Sequence, residues 1–156
     1  CSRDTEFSLK LRIPWWVSGT ASIFVNEELH KTSPAGPGFY ELSRRWSDND
    51  TIVVELPKKL VAEPLPGEPE MVAFVDGPIV LAGLTEEERL LIGDSSKPET
   101  LLIPDRERNH SWWNAGYYRT RGQSSNFRFI PLYEIKDEAY TVYFPVTQKE
   151  HAKPGG

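Results

Sequence analysis

Cysteine is nearly absent: Cys1 is the only one in 156 residues. A lone thiol can form no internal disulfide and supply no multi-cysteine metal site. The three histidines, His30, His110 and His151, lie far apart and lack ligand spacing, so neither a zinc site nor any other cofactor is expected. An excess of basic charge is lacking too. Eighteen Lys and Arg against 23 Asp and Glu leave a net charge of −5. A protein that tracks a nucleic-acid backbone would show a basic stripe, whereas Lys58-Lys59 and Arg44-Arg45 are only pairs. No segment approaches about 18 consecutive apolar residues, so no membrane span is expected. The start, Cys1-Ser2-Arg3-Asp4, is too polar to read as a secretory leader. Neither Gly-x-Ser-x-Gly nor a glycine-rich phosphate loop occurs.

Aromatics and chain breakers are plentiful: five Trp, six Tyr, seven Phe, 13 Pro and 11 Gly. Short β-branched and aromatic segments between breakers indicate an all-β fold. "FSLKLRI" (7–13) alternates strictly, with Phe7, Leu9, Leu11 and Ile13 on one face. "ASIFVN" (21–26), "FYEL" (39–42) and "TIVVEL" (51–56) read as further strands, with "SDND" (47–50) as a turn. "MVAFV" (71–75) and "IVLAGL" (79–84) are near-continuous apolar runs, as in strands covered on both faces. "EPLPGEP" (63–69) reads as a loop. "TEEERLLI" (85–92) is the one helix candidate, with Thr85 and Glu88 as a capping box. Weaker strands are expected at 100–103 and 116–121. "FRFIPLYEI" (127–135) and "YTVYF" (140–144) read as a strand pair around Lys136-Asp137-Glu138. The expected architecture is a two-layer antiparallel β-sandwich with one short helix near 85–92, with a barrel as the alternative. A single domain spans 1–147, and 148–156 is a tail.

Chemistry is harder to find. Glycoside hydrolysis needs two carboxyl groups across a cleft. Glu86-Glu87-Glu88 is explained as helix capping and solvated surface, and Glu134, Asp137 and Glu138 as hydrated turn residues. No catalytic residue and no metal ligand is assigned. The aromatics leave one candidate, "NHSWWNAGYY" (109–118), a polar stretch rich in indole and phenol rings. Trp112, Trp113 and Tyr117 could stack on sugar rings while Asn109 and Arg119 bond hydroxyls. The same residues could instead anchor a long loop to the core. Trp46 suits a packing role, and of Trp15 and Trp16 one ring is expected inward and one peripheral.

In order along the chain, "FSLKLRIPWW", "IFVN", "LSRRWSDNDTIVVELP", "VAFVDGPIVLAGL" and "FIPLYEIKDEAYTVYFP" resemble the β-sandwich region that follows the catalytic barrel in glycoside hydrolase family 127. That family is β-L-arabinofuranosidase-like and was formerly a domain of unknown function. The resemblance covers roughly 1–84 and 127–145. It implies a parent enzyme with an (α/α)6 barrel that holds the catalytic groups, so none carries over onto these residues. It further implies a non-catalytic module whose partner is that barrel, with plant or pectic oligosaccharide as a second candidate partner. It implies a secreted or periplasmic bacterial setting. A carbohydrate-binding module and a free-standing interaction domain remain as alternatives. One departure concerns the turn after the second strand. The family's Asn-Gly is Asn26-Glu27 here, which leaves a longer turn or another turn type open.

Overall fold

The computed structural model describes residues 3–33, 37–106 and 116–148, with side chains from 31–33 outside the description. Two compact units emerge, Cys1–Lys59 and Leu60–Gly156. Strands form every extended regular element, and the only helical pieces among the described residues are three-residue 3₁₀ turns.

In the first unit, β1 (Thr5–Ile13) pairs antiparallel with β4 (Gly38–Trp46). The expected alternation is present: Leu9 and Leu11 are half-buried and Ile13 is buried, while Ser8, Lys10 and Arg12 face water. Cross-strand partners sort by face, with Leu9 opposite Leu42 and Leu11 opposite Tyr40 on the apolar side. On the other side Glu6 opposes Arg45 and Lys10 opposes Glu41, and the Ser8 and Ser43 hydroxyls bond at 2.5 Å. The second sheet places β2 (Ala21–Val25) between β3 (Glu28–Ser33) and β5 (Ile52–Glu55). Ala21, Ile23 and Val25 are buried at every second position. Both sheets feed one cluster: Leu9, Tyr40, Leu42 and Trp46 from the ribbon, Val25 and Ile52 from the sheet. Trp46 fills its expected packing role. Only 4% exposed, it donates from Nε1 to the Phe7 carbonyl at 3.0 Å and stacks on the Phe7 ring. Trp15 is exposed and Trp16 half-buried.

The β2–β3 turn keeps two residues, with Val25 opposite Glu28. Asn26 and Glu27 stand at φ 50° and 70°, the signature of a type I′ turn. Asn26-Glu27 is thus a two-residue turn and not a longer one; Glu27 adopts the left-handed conformation a glycine would take without strain. Asn26 also ties this turn to its neighbour. Its Nδ2 donates to Asp50 Oδ1 at 3.0 Å, and its Oδ1 accepts from the Thr51 N–H at 2.9 Å.

In the second unit eight strands form one sheet. They are β6 (Leu60–Leu65), β7 (Glu68–Asp76), β8 (Ile79–Gly83), β9 (Leu91–Ile92), β10 (Leu102–Pro104), β11 (Tyr118–Thr120), β12 (Arg128–Pro131) and β13 (Tyr143–Thr147). The order is β10-β11-β12-β8-β7-β13-β9, with β6 also on β7. Every pair is antiparallel except β9 with β13. The apolar runs of β7 and β8 are covered as expected: Val72 through Asp76, and Leu81 through Gly83, are all buried. Phe74, Phe129 and Phe144 are fully buried at the centre, with ring centroids 5.2–5.4 Å apart for the two contacts through Phe129. Removing each such ring from water stabilises the fold by about 1.5–3 kcal/mol. Gly83 lies under them. A Cβ there would stand 2.5 Å from the Phe144 ring and 2.9 Å from that of Phe127.

Three expectations for this unit are overturned. No helix forms over 85–92. Thr85 closes a local turn with Glu87 instead, and Leu91 and Ile92 join β13 as a strand. Two helical turns are marginal alone, and burying Leu91 at 1% exposure in the phenylalanine cluster decides the matter. The supposed loop 63–69 is a hairpin: β6 meets β7 through Pro66-Gly67, with Gly67 at φ 85° as a Pro-Gly turn requires. Pro64 is tolerated because β6 pairs on one side only. Finally, 127–135 does not pair with 140–144. Strand β12 lies between β8 and β11, and β13 lies against β7 and β9. Pro131 ends β12, and a 3₁₀ turn at Leu132–Glu134 turns the chain away.

Candidate functional site

The richest polar arrangement surrounds β11. Register places Ile103 of β10 opposite Arg119, and Arg119 opposite Arg128 of β12. Two guanidinium groups thus stand side by side on one face, an arrangement unfavourable by itself. Arg128 is compensated: its Nε lies 3.5 Å from Asp105 Oδ2, a carboxylate group only 3% exposed. Asp105 is fixed from the backbone as well, its N–H donating to the Tyr117 carbonyl at 2.9 Å. Arg119 is exposed and lines a concavity of about 440 Å³ with Ile103, Pro104, Asp105 and Arg106.

The tyrosines flanking Arg119 are engaged in the protein. The Tyr117 hydroxyl donates a short hydrogen bond to Glu134 Oε2. Tyr118, half-buried against the phenylalanine cluster, has its phenol pushed up to about 12. Burial is the main cause, and the charge of buried Asp76 and a hydrogen bond to it add to the effect.

The candidate sugar patch is thus only partly in view. Asn109, Trp112 and Trp113 lie outside the described residues. Tyr117 and Arg119 are two positions apart at one end of the sheet, but only Arg119 lines the concavity. Sequence reasoning passed over Arg106, Asp105 and Arg128. The signal available was the dense charge of "PDRER" (104–108) directly after an apolar strand.

The carboxylates of 86–88 and 137–138 lie at the surface. Glu86, Glu87 and Glu88 are exposed, the first two lining a second concavity of about 600 Å³ with Arg89 and Glu138. Glu138 accepts from the Lys136 N–H at 2.8 Å, which lowers its pKa below the usual carboxylate value. A group held ionised in this way is unsuited to protonate a leaving group at neutral pH. Among the described residues no three His, Cys, Asp or Glu are grouped to hold a metal ion. No described helix is long and apolar enough to cross a membrane.

Fold and surface together define an all-β module with small polar concavities. Its likenesses include glycoside hydrolases of family 127. Residues 1–58 match the family model of the β-L-arabinofuranosidase GH127 middle domain. That span ends one residue short of the boundary of the first compact unit. The fold matches solved structures over more than nine-tenths of the chain. One is Ara127N, a GH127 β-L-arabinofuranosidase from Geobacillus stearothermophilus T6, with TM-score 0.65, 19% identity, 93% of this chain and 27% of that one. A glycoside hydrolase follows with TM-score 0.57, 21% identity, 91% of this chain and 28% of that one. A GH127 β-arabinofuranosidase has TM-score 0.58, 17% identity, 92% of this chain and 28% of that one. The chain thus spans little more than a quarter of each. No curated protein sequence matches it. The resemblance to family 127 holds, at the level of a middle-domain match and a shared fold.

Proposed function

We propose that this chain is a non-catalytic β-module of a family-127-like glycoside hydrolase, supporting a catalytic barrel carried elsewhere in the parent protein. The observation that carries the reading is the coincidence of the middle-domain match, 1–58, with a compact unit ending at Lys59. The shared fold and the share of the relatives' length that it occupies support it further. Within the described residues, Glu86, Glu87 and Glu88 are exposed, Glu138 has its pKa lowered, Glu134 is bonded to a tyrosine and buried Asp105 is paired with Arg128. The proposed setting is outside the bacterial cytoplasm, where a plant-polysaccharide substrate would be met.

The test compares the purified chain with its parent protein on β-L-arabinofuranosides, measuring released arabinose. The chain alone releases none. The parent releases arabinose, and loses stability when this segment is deleted. Turnover by the chain alone would refute the reading, as would a parent whose activity and stability ignore the deletion.

A further inference from the structure

We propose that the concavity beside β10 and β11 is a binding site for a carboxylated sugar, a uronic-acid residue held by Arg106 and Arg119. Three observations carry it. First, Arg119 stands opposite Arg128 across the β11–β12 ladder. Of the two, Arg128 makes the ion pair with Asp105, at 3.5 Å. Second, Arg106 and Arg119 both line the concavity, both are exposed, and neither has an ion-pair partner among the described residues. Among the described residues, the concavity and the Asp105–Arg128 pair beside it bring three guanidinium groups against one carboxylate, a local excess of positive charge. Like charges held together without compensation weaken the fold, and a bound anion would relieve that repulsion.

Third, the lining is amphipathic. Ile103, half-buried, and Pro104, exposed, give an apolar floor next to the two forks. A guanidinium fork matches a carboxylate with two parallel hydrogen bonds. An apolar floor suits the C–H face of a sugar ring. A uronic acid combines both features in one residue, and about 440 Å³ suits one or two sugar rings. Tyr117 takes no part, since its hydroxyl is bonded to Glu134. Asp105, which also lines the concavity, acts as a positioning residue through its ion pair with Arg128. The anion site stands on this geometry alone; the choice of a sugar acid rests on the glycoside hydrolase reading above.

The test is calorimetric titration of the whole chain with trigalacturonate, neutral arabinotriose and inorganic phosphate, repeated at higher salt. Trigalacturonate is expected to bind at least tenfold more tightly than arabinotriose and to weaken as salt rises. Arg119→Gln and Arg106→Gln are each expected to weaken it about tenfold or more, the loss of one charge-assisted contact. Arg121→Gln, an exposed change outside the concavity, is expected to leave it unaltered. Equal binding of the neutral sugar, binding insensitive to both variants, or no binding up to about 10 mM would overturn the proposal. Phosphate binding as tightly as trigalacturonate would overturn the sugar assignment. Failure of the arabinose-release test alone would not touch the titration, so the two ideas fail separately.

Discussion

Replacing Asn26 by alanine should weaken the first unit far more than an exposed position would normally allow. Two side-chain hydrogen bonds are lost, Nδ2 to Asp50 Oδ1 at 3.0 Å and Thr51 N–H to Oδ1 at 2.9 Å. At an exposed site these contribute about 0.5–1 kcal/mol each. Alanine must also adopt φ 50°, at a further cost of about 1 kcal/mol that asparagine largely escapes. The sum is about 2–3 kcal/mol, a large fraction of the stability of so small a unit. Asn26→Gly separates the two causes. It keeps the turn conformation and loses only the bonds, so about 1–2 kcal/mol is expected. Glu27→Gly should act in the opposite direction, stabilising by about 0.5–1 kcal/mol, because Glu27 stands at φ 70°. The assay is urea unfolding followed by tryptophan fluorescence, since Trp15, Trp16 and buried Trp46 all lie in this unit. A slope of about 1–1.5 kcal/mol/M would move the Asn26→Ala midpoint by roughly 2 M. Equal losses in the alanine and glycine variants would show that backbone strain plays no part. A loss below about 0.5 kcal/mol in Asn26→Ala would refute the whole account of the clamp.

Gly83→Ala should destabilise the second unit by about 1–3 kcal/mol, read from thermal unfolding, because its Cβ collides with the Phe144 and Phe127 rings; an unchanged Tm would show that the cluster is loosely packed. The Tyr118 phenol is raised from 10.0 to about 12 in the fold, so the neutral phenol is the form the fold favours. Its contribution is present below pH 10 and lost as pH rises toward about 12. A tyrosinate absorbance titration should therefore show a step near pH 12 that is missing from Tyr118→Phe. Asp50 shifts the other way, lowered from 3.8 by the Ser47 N–H and then by Asn26 and Arg44. Its contribution is present above 3.8 and lost as pH falls through the depressed folded value. Urea midpoints measured from about pH 5 down to about pH 2 should fall less steeply in Asp50→Asn than in the natural chain.

What the sequence determined by itself is the local part. Strict alternation in 7–13 follows from the two-residue period of a strand, and it fixes which side chains of β1 face inward before any partner is known. The unbroken apolar runs at 71–75 and 79–84 likewise announced strands buried on both faces. The ordered motifs pointed to family 127, and the match over 1–58 bears that out. Partner choice was not local. β12 and β13 are adjacent in sequence, yet they do not pair with each other: β12 joins β8 and β11, and β13 joins β7 and β9, because pairing depends on which edges remain free after the core forms. Residues 85–92 carry helix-capping chemistry, but the gain from burying Leu91 exceeds what two marginal helical turns could offer. The arginine concavity was invisible for the same reason. Arg106, Arg119 and Arg128 are spread over 23 positions of sequence. Only the register of three short strands, with one buried carboxylate placed beside Arg128, sets two of those charges apart to meet an anion.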